Sequence, residues 1–562
     1  MKKQLPVGHE DIKRIIDGDM YYVDKTMMIK TLIDSAASVN LFTRPRRFGK
    51  TLNLSMIRRF FELELDASGN PVDNRYMFES LKIASCGERY LSEQGQYPII
   101  NLSLKSAKQP DYEMAYHCLT DEIAKEYRRH DYVLQMEALA EDEKQRFRDI
   151  MARKGTRVDY ATGLEFLSYC LEKYHDKRVI ILIDEYDVPL ENAYFAGFYD
   201  RMIDFIRSLF ESALKTNGSL EFAVITGCLR ISRESIFTGL NNLEIYSVTR
   251  PEYADMFGFT ADEVKEMLVY YGLEDKYEEI KEWYDGYLFG NKEIYNPWSI
   301  INYVKVALTD RDAFPRPYWS NTSSNAIIKE LIEGADMATR QEIESMIEGG
   351  TIEKPIHEDI TYDAIHESRD SLWNFLYFTG YLKKVKEKMG DDMIYLTMTI
   401  PNKEIRSIYR NHILKWFDKK IQNSNLIPLL TAIENDDCEV IGDLLTGQLM
   451  DTISFFDYGE NYYHGFLVGL LKASGKYLVV SNRESGTGRT DIIMKTPSVR
   501  GRAFILELKV SKTFRMMEAG CDEALLQIEK ENYEAGLRAE GYSKIDRYGI
   551  CFYRKECLVK KG

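Results

Sequence analysis

The 562-residue sequence has no C-x-x-C pair; its eight cysteines are scattered between positions 86 and 557. Such spacing argues against a zinc ribbon or a disulfide framework, and predicts a reducing, cytoplasmic setting. No stretch approaches the roughly 20 apolar residues of a membrane span, so no membrane partner is expected. The opening Met-Lys-Lys-Gln-Leu-Pro has no apolar run behind its basic residues, and no signal peptide is expected. Internal repeats and low-complexity linkers are also missing. So is a positive balance: the net charge of −15 speaks at first sight against nucleic acid. Residues 451–562 reverse that sign, with 18 Lys+Arg against 15 Asp+Glu, counted from the sequence. Within them Lys495, Arg500, Arg502, Lys509, Lys512 and Arg515 gather around one predicted hairpin, and a local basic surface can attract phosphate on an acidic protein. What remains is globular in character, 44% apolar and 29% charged, with length for three or four domains.

The most informative segment is Thr43-Arg44-Pro45-Arg46-Arg47-Phe48-Gly49-Lys50-Thr51. Gly49 lets backbone N–H groups approach phosphate oxygens, Lys50 is a cation for the outer phosphates, and the Thr51 hydroxyl suits a Mg²⁺ shell. Arg46 and Arg47 add cations to the same turn. Apolar Val39, Leu41 and Phe42 precede the turn as a strand. Leu52, Ile57, Phe60 and Phe61 follow at helical spacing, so phosphates would meet a helix N-terminus. The general pattern G-x-x-x-x-G-K-[ST] calls for glycine where this chain has Arg44.

Some 130 residues on, Val179-Ile180-Ile181-Leu182-Ile183 is the unbroken apolar run of a strand buried on both faces. It ends in Asp184-Glu185, at the strand edge where open α/β sheets bind ligands. Asp184 is placed to hold Mg²⁺, and Glu185 to orient or deprotonate the attacking water. A third strand, residues 220–227, ends near Thr226, a candidate sensor of the γ-phosphate. Arg230 and Arg233 follow and offer cations to the developing charge, with plain solvation as the bland alternative. Earlier, a strand is expected around residues 21–23. The tryptophans at 283, 298, 319 and 373 read as packing anchors rather than base-stacking platforms.

Near the end of the chain, Phe504, Leu506, Leu508 and Val510 share one strand face, while Ile505, Glu507 and Lys509 share the other. Asp491-Ile492-Ile493-Met494 is a second strand, and the intervening 495–502 is long enough only for a turn or loop. A hairpin would therefore set Asp491 beside Glu507. Two carboxylates suit Mg²⁺, with the Leu508 carbonyl as a third ligand, and Lys509 would orient water or offset transition-state charge. An amphipathic helix over 459–471 turns Phe466, Leu467, Leu470 and Leu471 inward. Glu460 at its start is a further candidate metal ligand, or a partner of the helix dipole. His464 reads as structural, and residues 434–437 as a solvated acidic turn.

Residues 43–51, 183–187 and 227–231 resemble the bacterial AAA-ATPase-like family, whose RPRRFGK[ST] loop also lacks the first glycine. The segments 22–26, 283–287 and 295–299 resemble recurring stretches of the same family, over roughly residues 4 to 300. The 455–557 region resembles the PD-(D/E)XK nuclease superfamily, with Thr490 where that name expects proline; Gln527 and Tyr533 resemble its auxiliary polar residues. The resemblances imply an α/β protein: a P-loop NTPase parallel sheet flanked by helices over 1–258, a mainly helical middle region over 259–448, and a C-terminal α/β restriction-endonuclease-like domain over 449–562. They imply ATP and Mg²⁺ as cofactors, and nucleic acid as partner, with DNA ahead of RNA. A homo-oligomer is compatible with them. The leading expectation is an ATPase coupled to Mg²⁺-dependent phosphodiester cleavage. The alternative is a nucleotide-dependent switch whose terminal domain binds nucleic acid or protein without cutting. A DNA-moving motor ranks last, because no set of helicase motifs is present.

Overall fold

A computed structural model describes residues 2–66, 68–230, 236–237, 240–319, 337–358, 369–390, 393–411, 426–452, 460–473, 476–485 and 488–562. The chain forms two compact units, one from Met1–Asn325 with Thr351–Ile408, the other from Ala326–Gly350 with Tyr409–Gly562.

The first unit is organised by a five-stranded sheet of β1 (Val39–Thr43), β2 (Ile99–Ser103), β3 (Val179–Asp184), β4 (Leu220–Gly227) and β5 (Leu243–Tyr246). Their order is β2-β3-β4-β1-β5, and every pairing is parallel. Every residue of β1 and β3 is buried, which is why both read as apolar runs rather than alternating ones. Register brings Phe42 beside Thr226, Thr43 beside Gly227, and Ile183 beside Ile225. The chemistry-bearing ends of β1, β3 and β4 thus meet at one sheet edge. Helices Tyr112–Arg129, Glu141–Met151 and Gly163–His175 occupy the stretch between β2 and β3.

Residues 21–23 form no strand. Tyr21 N–H donates to the Gln4 carbonyl at 2.8 Å beside an isolated bridge from Gln4 to Met20, and the short apolar run is spent lining a cavity instead. In the described part of 259–448 helices predominate. The helix Ala261–Tyr271 opens with a Thr260/Glu263 capping box. The region also holds two small antiparallel sheets. One orders β6 (Phe259–Thr260), β7 (Tyr287–Phe289) and β8 (Lys292–Tyr295) as β6-β8-β7; the other orders β9 (Ile352–Pro355), β10 (Lys383–Met389) and β11 (Ile394–Thr399) as β10-β11-β9.

The second unit is built on β12 (Leu478–Ser485), β13 (Gly488–Lys495), β14 (Arg502–Val510), β15 (Lys544–Tyr553) and β16 (Glu556–Lys561), in sequential order. Only the β14–β15 pairing is parallel, so the sheet is mixed. Strand alternation in β14 sends Phe504, Leu506 and Leu508 into one core with Phe466, Leu467 and Leu470 of the helix Glu460–Ala473. Ile505 goes the other way, packing with Ile493, Ile528 and Leu537. Asp436, in the predicted acidic turn, is ion-paired to Arg502 at 2.6 Å and Lys561 at 2.8 Å.

Candidate functional sites

The chain leaves β1 into the turn 44–49 and enters the helix Lys50–Phe61. Gly49 has φ +84°, the left-handed region that favours glycine, and nothing lies within 4 Å of where a Cβ would stand. Arg44 turns away from this turn and is fully buried. Its guanidinium donates to the carbonyls of Thr43, Tyr246 and Tyr253 at 2.9, 2.6 and 3.3 Å. Phe257 and Phe289 flank it at 5.1 and 5.2 Å, and burial pulls its pKa down to about 9. The position that general loops give to glycine is here an internal strut fixing β5 and the segment after it.

The Lys50 ammonium donates to the Arg44 and Pro45 carbonyls at 2.9 and 3.0 Å. Thr51 Oγ1 donates to Asp184 Oδ2 at 2.7 Å, and the Thr226 hydroxyl donates to Oδ1 of the same carboxylate. Glu185 follows with φ +53°, an unfavourable conformation for a side-chain-bearing residue. Burial pushes its carboxyl above the ordinary range against the pull of Lys50, and the charges of Asp184 and Asp187 add to the rise. A cavity of about 360 Å³ is lined by Lys50, Thr51 and Glu185, and elsewhere by Val7, Tyr22, Met256, Phe259, Met267 and Trp298. A hydroxyl and a carboxylate in contact are hard oxygen donors of the kind Mg²⁺ takes, and the open backbone at Gly49 suits a phosphate.

The other sequence-predicted cations divide. Arg46 pairs with Glu191 at 2.7 Å and Arg47 stacks over the Trp298 ring at 4.5 Å, both lining the cavity. Arg230 pairs with Glu358 at 2.6 Å and is not part of the cavity lining. Arg233 lies outside the described residues.

In the second unit, β13 and β14 form the expected hairpin, with Ile492 opposite Leu506. Asp491 Oδ2 accepts from the Leu508 N–H at 2.9 Å, and Glu507 Oε2 from the Asp491 N–H at 3.4 Å. Glu507 is buried although it carries a carboxylate. Lys509 donates to Gln527 Oε1 at 2.7 Å, and Gln527 donates in turn to the Tyr533 hydroxyl at 3.3 Å. His464 donates through Nε2 to the Asp491 carbonyl at 2.9 Å. Glu460 heads its helix, but its side chain lies outside the described residues. Among the described residues no group of three or more His, Cys, Asp or Glu side chains is gathered for a metal. Two carboxylates suffice for Mg²⁺, which keeps several waters and takes few protein ligands.

Residues 6–237 match the family model described as predicted AAA-ATPase, and residues 458–562 match that of the PD-(D/E)XK nuclease superfamily. The chain carries both domains. Among curated proteins it is 25% identical to an uncharacterized protein in the vnfD 5' region of Azotobacter chroococcum mcd 1, over 98% of this chain and 97% of that one. No helix among the described residues is long and apolar enough to cross a membrane.

The AAA-ATPase-like domain also depends on residues most of whose side chains carry no sequence signal for their roles. Asp187 Oδ2 accepts the backbone N–H groups of Cys228 and Leu229 at 2.7 and 3.0 Å, clamping the turn after β4. Gly227 is obligatory there, since a Cβ would fall 2.4 Å from the Tyr186 ring. Trp298, expected as a packing anchor, also lines the cavity. Its helix Pro297–Ala307 is capped by Asn296, which accepts from Trp298 N–H at 2.9 Å. Buried Glu404 accepts from Ser299 Oγ at 2.9 Å and from Trp319 N–H at 2.8 Å, and the Trp319 indole donates to the Arg46 carbonyl at 3.2 Å. The asparagine-proline pair was the readable signal for the cap; nothing in sequence joined Glu404 to the phosphate loop.

Proposed function

We propose that this chain hydrolyses ATP at the N-terminal site and cuts nucleic-acid phosphodiester bonds, DNA first, at the C-terminal one. The three-part division 1–258, 259–448 and 449–562 belongs to this reading, as does a cytoplasmic setting. The observation that carries it is the gathering of Asp491, Glu507 and Lys509 on one hairpin, with the ammonium held by Gln527.

At the first site Lys50 leaves the Arg44 and Pro45 carbonyls for the outer phosphates. Thr51 and Asp184 would hold Mg²⁺, and Glu185 takes a proton from the water attacking the γ-phosphorus as the bond to the leaving diphosphate oxygen breaks. Burial and then the neighbouring carboxylates raise its pKa, which strengthens it as a proton acceptor. Thr226, on β4, reports the γ-phosphate to β3 through its bond to Asp184. At the second site Asp491 and Glu507 would hold Mg²⁺, with Glu460 the candidate further ligand, and Lys509 aligns water and offsets charge on the phosphorus. Bound Mg²⁺ would neutralise phosphate oxygens and ease departure of the leaving oxygen at each site.

An ATP-dependent gate on cutting is the purpose this reading gives to the fusion, with ATP binding one state of the cutting domain better than the other. The alternative of binding without cutting gains no observation here, because a binder has no use for two carboxylates and a lysine gathered on one hairpin. The test is incubation of the full chain with labelled DNA and RNA of several structures, with and without Mg²⁺ and ATP. Mg²⁺-dependent cleavage whose rate changes with ATP is expected; absence of cleavage on every substrate contradicts the reading.

A further inference from the structure

The loop from Ser511 to Met516 joins the two elements that form the candidate cutting site: β14, carrying Glu507 and Lys509, and the helix Met517–Lys530, carrying Gln527. It exposes Phe514 by 64% and Met516 by 54%. Lone apolar residues on a surface are ordinary, but this pair is not slack chain. Ser511 N–H donates to the Phe552 carbonyl at 2.9 Å, Ser511 Oγ to the Thr513 carbonyl at 2.9 Å, and Met516 N–H to the Thr513 carbonyl at 3.1 Å. The next residue, Met517, is buried. The fold therefore holds an aromatic ring out in water. Exposed Lys512 and Arg515 alternate with the apolar pair, and neither makes an ion pair among the described residues. Phe514 follows Lys509 by five residues, so the two Cα atoms are within about 18 Å of each other.

We propose that this loop is a nucleic-acid-binding element in which Phe514 stacks on a base close to the cut phosphate while Lys512 and Arg515 hold flanking phosphates. Cations alternating with exposed rings are what a nucleic-acid strand requires: every base offers a π-face and every linkage a negative charge. Met516 packs beside the same base. The arrangement favours an unpaired or easily unstacked base over intact duplex, because a ring reaches a base face only where stacking is broken.

This inference rests on the reading of the terminal domain as a nuclease, and its test separates the two. Fluorescence anisotropy of the full chain with labelled single-stranded and duplex oligonucleotides, in EDTA so that nothing is cut, measures binding alone. Phe514→Ala should weaken single-strand binding about 5- to 100-fold, the range of base–aromatic stacking, and Phe514→Trp should restore it. Lys512→Ala and Arg515→Ala should each reduce the dependence of affinity on salt, whereas Phe514→Ala should leave that slope unchanged. Wild-type affinity in Phe514→Ala, or equal loss in Phe514→Ala and Phe514→Trp, overturns the loop's role while leaving the nuclease reading standing. A wild-type chain that binds no oligonucleotide and cuts none overturns both.

Discussion

Thr51 Oγ1 donates to Asp184 Oδ2 at 2.7 Å, linking the phosphate loop to the end of β3 across 133 residues of chain. Thr226 takes the other carboxylate oxygen, so a displacement of Asp184 is felt at the ends of β3 and β4 and in the first turn of the helix Lys50–Phe61.

Lys50→Ala should lower ATP affinity by about 10- to 100-fold, because it removes a charge-assisted contact to the outer phosphates. Glu185→Gln should bind ATP as the wild type does and turn over about 10²- to 10⁴-fold more slowly, the range for a lost general base. Nucleotide titration and phosphate release check both. Unchanged affinity in Lys50→Ala contradicts the assignment of the loop.

Arg44 marks a departure from the general loop that the fold explains. Arg44→Gly restores the general pattern, yet it should destabilise the first unit by roughly 3–5 kcal/mol. The change deletes a buried side chain and leaves the carbonyls of Tyr246 and Tyr253 without their donor. Urea denaturation followed by the fluorescence of Trp298 and Trp319 reads this. A stable Arg44→Gly protein would show that the strut is dispensable.

Sequence legibility follows the range of the interactions. β1, β3 and the phosphate loop were readable because burial on both faces and a Gly-Lys-Thr turn leave local marks. The Asp491–Glu507 pairing was readable because a short hairpin turn fixes register. Arg44 was visible only as an irregularity, since its partners lie some 200 residues away. The strand expected at residues 21–23 did not form, because apolar residues that line a cavity carry the same composition as a strand. Arg230 could not be assigned from sequence, since its partner Glu358 is 128 positions distant.

Glu404 gives the first unit a pH dependence. Burial, against hydrogen bonds from Trp319 N–H and Ser299, raises its carboxyl from 4.5 to about 7. A raised carboxyl favours the neutral form in the fold, so its contribution is full below about pH 4.5 and fades as pH rises through about 7. Glu404→Gln should therefore stabilise the unit at pH 8, by at most about 3 kcal/mol at 1.36 kcal/mol per unit, and by little at pH 5. Melting curves at the two pH values check this. An equal effect at both would show that the carboxyl is ionised throughout.

The nucleotide-free full chain should prefer Mg²⁺ or Mn²⁺ to Zn²⁺ at the hairpin site, whose donors are oxygens with no cysteine or paired histidine. Calorimetry of wild type against the Asp491→Ala, Glu507→Ala double variant isolates that site. The double variant should lose one weak binding event. An unchanged isotherm would place the metal elsewhere.

The central claim, two separate chemistries on one chain, meets its most direct test in Lys509→Ala assayed in parallel for cleavage of labelled nucleic acid and for ATP hydrolysis. The account predicts cleavage reduced roughly 10²- to 10³-fold, the scale of a lost transition-state contact, with ATP turnover at the wild-type rate. Cleavage at the wild-type rate would contradict the assignment of Lys509 and of the hairpin site to phosphodiester chemistry.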